Sequence, residues 1–149
     1  EVLECSEEII RICGKYKNIC PKHKWGAYIS LLYYPACGTA NLMRMWILAG
    51  RNKLYASQNR IEANDLADEL TTCLSFDKQL VEEYHSIENG WFDGFGLSEH
   101  IGFTTWNCEN NKYPQRIYVY PVNQPRMIVA RTEGRSRFSL YIYSIIYLK

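Results

Sequence analysis

The stretch WGAYISLLYYPACGTANLMRMWIL, residues 25–48, decides how the chain is read. Two apolar, aromatic-rich runs, 25–34 and 39–48, flank Pro35-Ala36-Cys37-Gly38. Pro and Gly punctuate local structure, so the four residues read as a tight turn. The runs then read as two adjacent strands at the centre of a sheet, joined near a disulfide. The second run also contains good helix formers, Leu42, Met43, Met45, Leu48 and Ala49. Arg44 is awkward in a fully buried strand, and residues 41–48 stay open between strand and helix, with strand preferred.

Around this centre the chain supplies helices on its N-terminal side and strands toward its C-terminus. Ser6 is placed to cap a helix whose first turn carries Glu7 and Glu8, favourable at the positive end of the helix dipole. Ile9, Ile10, Cys13 and Tyr16 follow on one face, and the helix is expected to stop before Pro21. After a turn at 50–53 and a short strand at 54–56, Asn59 and Glu62 match a capping box. Leu66, Ala67, Leu70, Cys73 and Leu74 then recur at helical spacing, with Asp65, Asp68 and Glu69 on the other face. Ser75 restarts a second helix carrying Leu80, Val81, Tyr84 and Ile87, ended by Asn89-Gly90. A glycine-punctuated loop holds Trp91, Phe92 and Phe95. Strands are expected at 103–108, 116–120, 126–132 and 137–148, with Pro121 restricting or ending the second of them. The fold class is therefore α+β: an antiparallel β-sheet of about four or more strands with helices packed on it, in one domain over residues 1–149.

Six cysteines, Cys5, Cys13, Cys20, Cys37, Cys73 and Cys108, are spread along the chain with no Cys-x-x-Cys pair. An even number at such spacings points to three disulfides in a secreted protein, with 15 possible connectivities. Cys5 and Cys13 on one helix would lie about 12 Å apart and cannot bond each other. The N-terminal residues 1–5 read as a mature start after cleavage of a leader. No apolar run reaches the roughly 18 residues of a membrane span. Net charge is +1 but segregated: residues 62–88 hold eight acids and one base, residues 112–149 seven bases and one acid. That balance argues for internal complementarity and against nucleic acid as a partner.

Two catalytic constellations can be assembled. Cys37 at a helix start, with His100 as base and Asn107 as orienter, would resemble a thiol hydrolase. That assignment leaves an odd cysteine and has no glutamine just before Cys37 for an oxyanion hole. His85, Glu99, His100 and Arg116 could serve a ribonuclease. Neither constellation is complete, and the glycines from Gly90 to Gly102 do not form a phosphate loop. No metal or cofactor is expected. The twelve tyrosines favour an interface, because Tyr offers flat area and a polar tip at little entropic cost. The binding candidates are Trp91, Phe92 and Phe95 in the glycine loop and Arg131, Arg135 and Arg137 around a C-terminal hairpin, placed on a scaffold stapled by the six cysteines.

His23-Lys24-Trp25-Gly26, an apolar run, and Pro35-Ala36-Cys37, preceded by a cysteine-bearing helix, resemble the N-terminal half of the LARS family. These are secreted avirulence and suppressing effectors of leaf-infecting fungi, relatives from Leptosphaeria and Fulvia. Ile128-Val129-Ala130-Arg131-Thr132 is similar to a late strand of that family. The resemblance implies a secreted α+β domain with an antiparallel sheet of about four strands, no enzymatic activity, and recognition, or masking of recognition, by plant immune receptors. The resulting expectation is a monomeric, secreted effector that binds a host protein, with no membrane or nucleic-acid partner. A small secreted hydrolase is the alternative.

Overall fold

A computed structural model describes residues 1–95 and 113–120 of the chain. The described residues are helical where the sequence had suggested a sheet. α1 spans Val2–Ile19, a 3-10 turn Lys22–Lys24, α2 Trp25–Tyr28, a π-helical segment Ile29–Tyr33, α3 Tyr34–Ser57 and α4 Glu62–His85. A second 3-10 turn, Ile87–Gly90, follows α4. No strand occurs among the described residues, and the expected sheet is corrected to a helical bundle. The runs 25–34 and 39–48 and the short strand at 54–56 are all helix. Residues 116–120 are neither helix nor strand, and the strands expected at 103–108, 126–132 and 137–148 lie outside the described residues.

The helix at the centre is masked in the sequence for a physical reason. The residues of the α3 region that are buried are Tyr33, Cys37, Ala40, Asn41, Met45, Leu48 and Asn52, a three- and four-residue rhythm. Exposed apolar residues between them, Met43 and Trp46, erase that rhythm from the sequence. Pro35 punctuates the sequence like a turn residue, yet it sits in the first turn of α3. In a straight α-helix its ring would clash with the carbonyl four residues back, and its missing N–H would leave that carbonyl unpaired. The wider π-helical turn over residues 29–33 falls where that conflict would arise and lets helix run on both sides of the proline.

The three long helical runs form an up-down-up bundle. Glu7 faces Arg44, the Cys13 thiol reaches Cys37, and Lys17 reaches Tyr33, so α1 runs antiparallel to α3. α4 returns antiparallel to α3 after the 58–61 turn. Its buried residues Ala63, Ala67, Leu70, Cys73, Asp77 and Leu80 follow the expected spacing. It is one continuous helix through Ser75, not two. Two apolar clusters lie between the helices. Ile29, Tyr33, Cys37, Leu80 and Ile87 form one, and Met45, Leu48, Leu70 and Cys73 form the other.

The caps differ from the sequence expectation. Ser6 is buried inside α1, its hydroxyl donating to the Leu3 carbonyl at 2.7 Å. Asn59 does not cap α4. It ends α3 in the left-handed region, φ 54°, while Arg60 N–H donates to Tyr55 O at 3.0 Å and Asn59 N–H to Ala56 O at 2.9 Å. That pair of bonds is a Schellman closure, in which asparagine tolerates the left-handed residue. Cys5, Cys13, Cys20, Cys37 and Cys73 are free thiols, so no disulfide staples the described residues; Cys108 lies outside them.

Candidate functional site

Two surfaces gather polar or aromatic groups in an arrangement that packing alone does not require. The first is the turn after α4. Glu88, Asn89 and Gly90 hold φ values of 49°, 59° and 90°, and Gly94 holds 82°. Three successive left-handed residues are costly outside glycine, and they reverse the chain sharply at the helix end. The reversal brings Phe92 back onto Tyr84, ring centroids 5.3 Å apart and edge to face. Tyr84 in turn stacks on Tyr34 at 4.5 Å. The His85 ring donates through Nε2 to the Phe95 carbonyl at 2.9 Å, and its Nδ1 lies 3.8 Å from Asp93. Gly26 lets α2 lie close to this turn, because a Cβ there would sit 2.9 Å from Glu88 Oε1 and 3.0 Å from Ile87 Cγ2.

On that base Trp91 is 80% exposed and Phe95 63% exposed. The sequence candidates therefore separate. Trp91 and Phe95 face solvent, whereas Phe92 is half-buried against the Ile29 cluster and acts as the foundation of the turn. His85, which the sequence offers only as a member of the ribonuclease set, ties the turn down through Phe95. Arg131, Arg135 and Arg137 lie outside the described residues.

The second surface lies at the other end of the α3–α4 pair. Asn52 is fully buried on α3. Its Nδ2 donates to Ala63 O at 2.7 Å and to Ile117 O at 2.8 Å, and its Oδ1 accepts the Ile117 N–H at 2.9 Å. Asn64 on α4 repeats the grip two residues along. It donates to Val119 O at 3.0 Å and accepts Val119 N–H at 2.8 Å. Arg116 reaches Thr71 Oγ1 at 3.3 Å, and the Tyr118 hydroxyl donates to Asp68 at 3.0 Å. Sequence reading missed this clamp. Its only trace was the placement of asparagines at 52 and 64, in stretches where apolar or charged residues predominate, and an isolated Asn signals a turn more often than a clamp.

The thiols form a third cluster beside a groove of about 510 Å³ between α1 and the π-helical segment. The groove is lined by Cys13, Tyr16, Ile19, Cys20, Tyr28 and Leu32, among others. Cys37 is fully buried in the Ile29 cluster, against which Cys13 packs. Burial, reinforced by Cys13, pushes the Cys37 thiol up to about 12, although Lys17 opposes the shift. A thiol held neutral and away from solvent is a poor nucleophile, so Cys37 lacks the setting that the hydrolase reading required. It also lies inside helix preceded by helix, not at a free helix start. The ribonuclease set does not converge among the described residues. His85 and Thr71, which holds Arg116, stand about 21 Å apart along α4. Glu99, His100 and Asn107 lie outside the described residues. No group of three or more His, Cys, Asp or Glu side chains suited to a metal ion occurs among the described residues, and no described helix is long and apolar enough to cross a membrane.

No protein-family model matches the chain, and the search of curated proteins returns no match.

Proposed function

We propose that the chain works by binding another protein through the aromatic turn 91–95, as a non-enzymatic module. The observation that carries this reading is the contrast within the turn. Trp91 and Phe95 stand out into solvent on a base fixed by Phe92, Tyr84, Tyr34 and the His85 bond. Rigid exposed aromatics bind at little entropic cost, and Trp is prominent among residues that dominate interface energies. A single exposed ring is ordinary on protein surfaces. Two on one pinned turn form a contact point of the size a partner's pocket accepts. The partner envisaged is a host protein, with the chain secreted as an effector. That identity rests on the short LARS resemblance alone, because the sheet implied by the resemblance is replaced by helices at residues 25–57.

The test is a binding titration of the full chain against a plant receptor ectodomain whose recognition response the chain triggers. Trp91→Ala with Phe95→Ala is expected to raise Kd at least about 30-fold, the scale of a hot spot of about 2 kcal/mol, with an unchanged melting curve. Phe92→Ala is expected to weaken binding and lower the melting temperature together. Unchanged affinity in the Trp91/Phe95 variant would remove the turn from the binding surface. Hydrolytic turnover by the pure chain would replace the binding reading altogether.

A further inference from the structure

The Asn52–Asn64 clamp lies about 31 Å along α4 from the aromatic turn and asks for a separate account. Both asparagines use the same chemistry. Each presents a carboxamide edge to one residue of the held segment, accepting its N–H and donating to its C=O. The held residues, Ile117 and Val119, are two apart. Side chains 116 and 118 reach sideways along α4, the alternation of an extended chain. Thr71, Asp68 and Asn64 meet residues 116, 118 and 119 in that order, so the segment runs antiparallel to α4.

We propose that this α3–α4 face is a binding site for an extended peptide of a partner protein, which takes the place of residues 116–119. Four observations carry it. The clamp reads backbone, so it holds any residue with a free N–H and excludes proline at the two gripped positions. Asn52 is preorganised without a ligand, because its second Nδ2 hydrogen is fixed on the Ala63 carbonyl. The present occupant sits lightly: Arg116, Tyr118 and Tyr120 are exposed, Ile117 and Val119 are only half-buried, and of the segment only Pro114 is buried. Two side-chain hydrogen bonds of the segment, Arg116 on Thr71 and Tyr118 on Asp68, lie at the surface, where an incoming peptide can reproduce them. Asp65, Asp68 and Glu69 give this stretch of α4 an acidic, solvent-facing side. The partner that fits is therefore an extended basic and aromatic peptide of the form Arg-x-Tyr-x, with no proline at either x. The chain's own Arg116-Ile117-Tyr118-Val119 is an internal copy of that ligand.

The probe is a fluorescein-labelled peptide of sequence Tyr113–Tyr120, titrated by anisotropy into the full chain. The wild-type chain is expected to bind it weakly, because its own segment competes. The Ile117→Pro/Val119→Pro chain, unable to offer either N–H, is expected to bind at least tenfold tighter. Adding Asn64→Ala to that chain is expected to remove the gain, and a peptide carrying the two prolines should not bind. Equal or absent binding to the double-proline chain, with native far-UV circular dichroism, overturns the proposal. If the double-proline chain fails to fold, hydrogen exchange on the wild type decides. Excess peptide should speed exchange of the chain's own Ile117 and Val119 amides while α3 and α4 stay protected. Unchanged exchange at those two amides in excess peptide overturns the proposal equally.

Discussion

The two ends of the α3–α4 pair are closed in different ways. At the end near Cys37 and Leu80, aromatic rings, thiols and Ile29 fill the space, and α1 with the π-helical segment forms the roof. Lys17 joins this roof to α4 through Glu83 and lies over the Tyr33 ring at 4.6 Å. At the end near the 58–61 turn, small Ala63 and Ala67 bring the helices close, and the outer layer is amide: Asn52 buried, Asn64 half-buried, and a piece of chain laid across them. Apolar burial is non-directional and needs only surface to cover. An amide must be matched donor for donor, and a buried one left unmatched costs more than a made bond contributes. The first end is thus a source of stability that tolerates rearrangement. The second is a directional demand, which makes it a surface suited to recognition.

The sharpest way to test that contrast is to empty each end in turn. Leu70→Ala and Leu80→Ala remove fully or nearly fully buried side chains from the two apolar clusters. Each is expected to cost about 2–5 kcal/mol in urea unfolding, the range for such cavities. Leu80→Ala should in addition loosen the aromatic turn, since Ile87 and Phe92 share its cluster. Asn52→Ala is expected to cost less, about 1–3 kcal/mol, because the released segment can turn its Ile117 groups to water. Its signature is local: exchange at the Ile117 amide should rise far more than exchange within α1. A global loss equal to that of Leu70→Ala would make the amide end as structural as the apolar one and break the comparison.

Alkaline pH should act on the ring-and-thiol end through Tyr33 and Cys37. Burial, with Glu83 and Cys37 adding to it, raises the Tyr33 hydroxyl to about 12, and burial with Cys13 raises the Cys37 thiol to about 12. Both groups are neutral when protonated, so a raised folded value means that the unfolded chain releases its proton first. Stability is then full below the ordinary thiol value of 9.0 and falls as pH climbs toward about 12. Melting temperature is expected to drop across that window, and Cys37→Ala should flatten the drop. An identical alkaline profile in Cys37→Ala would show that other groups govern it.

How much of this could be read from the sequence varied with how charge was distributed. α4 was legible because Asp65, Asp68 and Glu69 mark its wet face, leaving Leu66, Ala67, Leu70 and Cys73 to mark the dry one. α1 was legible for a similar reason, although Tyr16 is 53% exposed and Ile9 42%, so half of its presumed inner face looks outward. The α2–α3 run was not. It carries apolar residues on all sides, and a continuous apolar run has no period to distinguish strand from helix. Pro35 and Gly38 then supplied punctuation that a π-helical turn absorbs. The candidate site was partly legible: exposed Trp91 and Phe95 were named from the sequence, the supporting role of Phe92 and His85 was not. The clamp left only its two asparagines as a trace, because they grip residues more than fifty positions away through backbone groups that every sequence possesses.

Arg44 is the one residue whose misfit in a strand pointed toward the helix, and it marks the joint between the two ends. Its guanidinium lies 3.6 Å from Glu7 on α1 and 3.7 Å from Glu69 on α4, ion pairs too long to be hydrogen bonds. Both carboxylates are at least half exposed, so water and salt screen each pair, and such pairs contribute about 0–1 kcal/mol. The stem lies between the helices, and among the described residues the buried Nε finds no partner. An orphaned buried donor offsets part of what the ion pairs contribute. Arg44→Met keeps the stem, removes the orphan and deletes both pairs. The expected result is a change in stability within about 1 kcal/mol of zero at low salt, vanishing or turning favourable in 1 M sodium chloride as the wild type loses its screened pairs. Thermal melts of both chains at the two ionic strengths measure it. A salt-independent loss above about 2 kcal/mol would mean that Arg44 holds the helices by a bond stronger than these distances allow, and the joint between the two ends would then be polar in its own right.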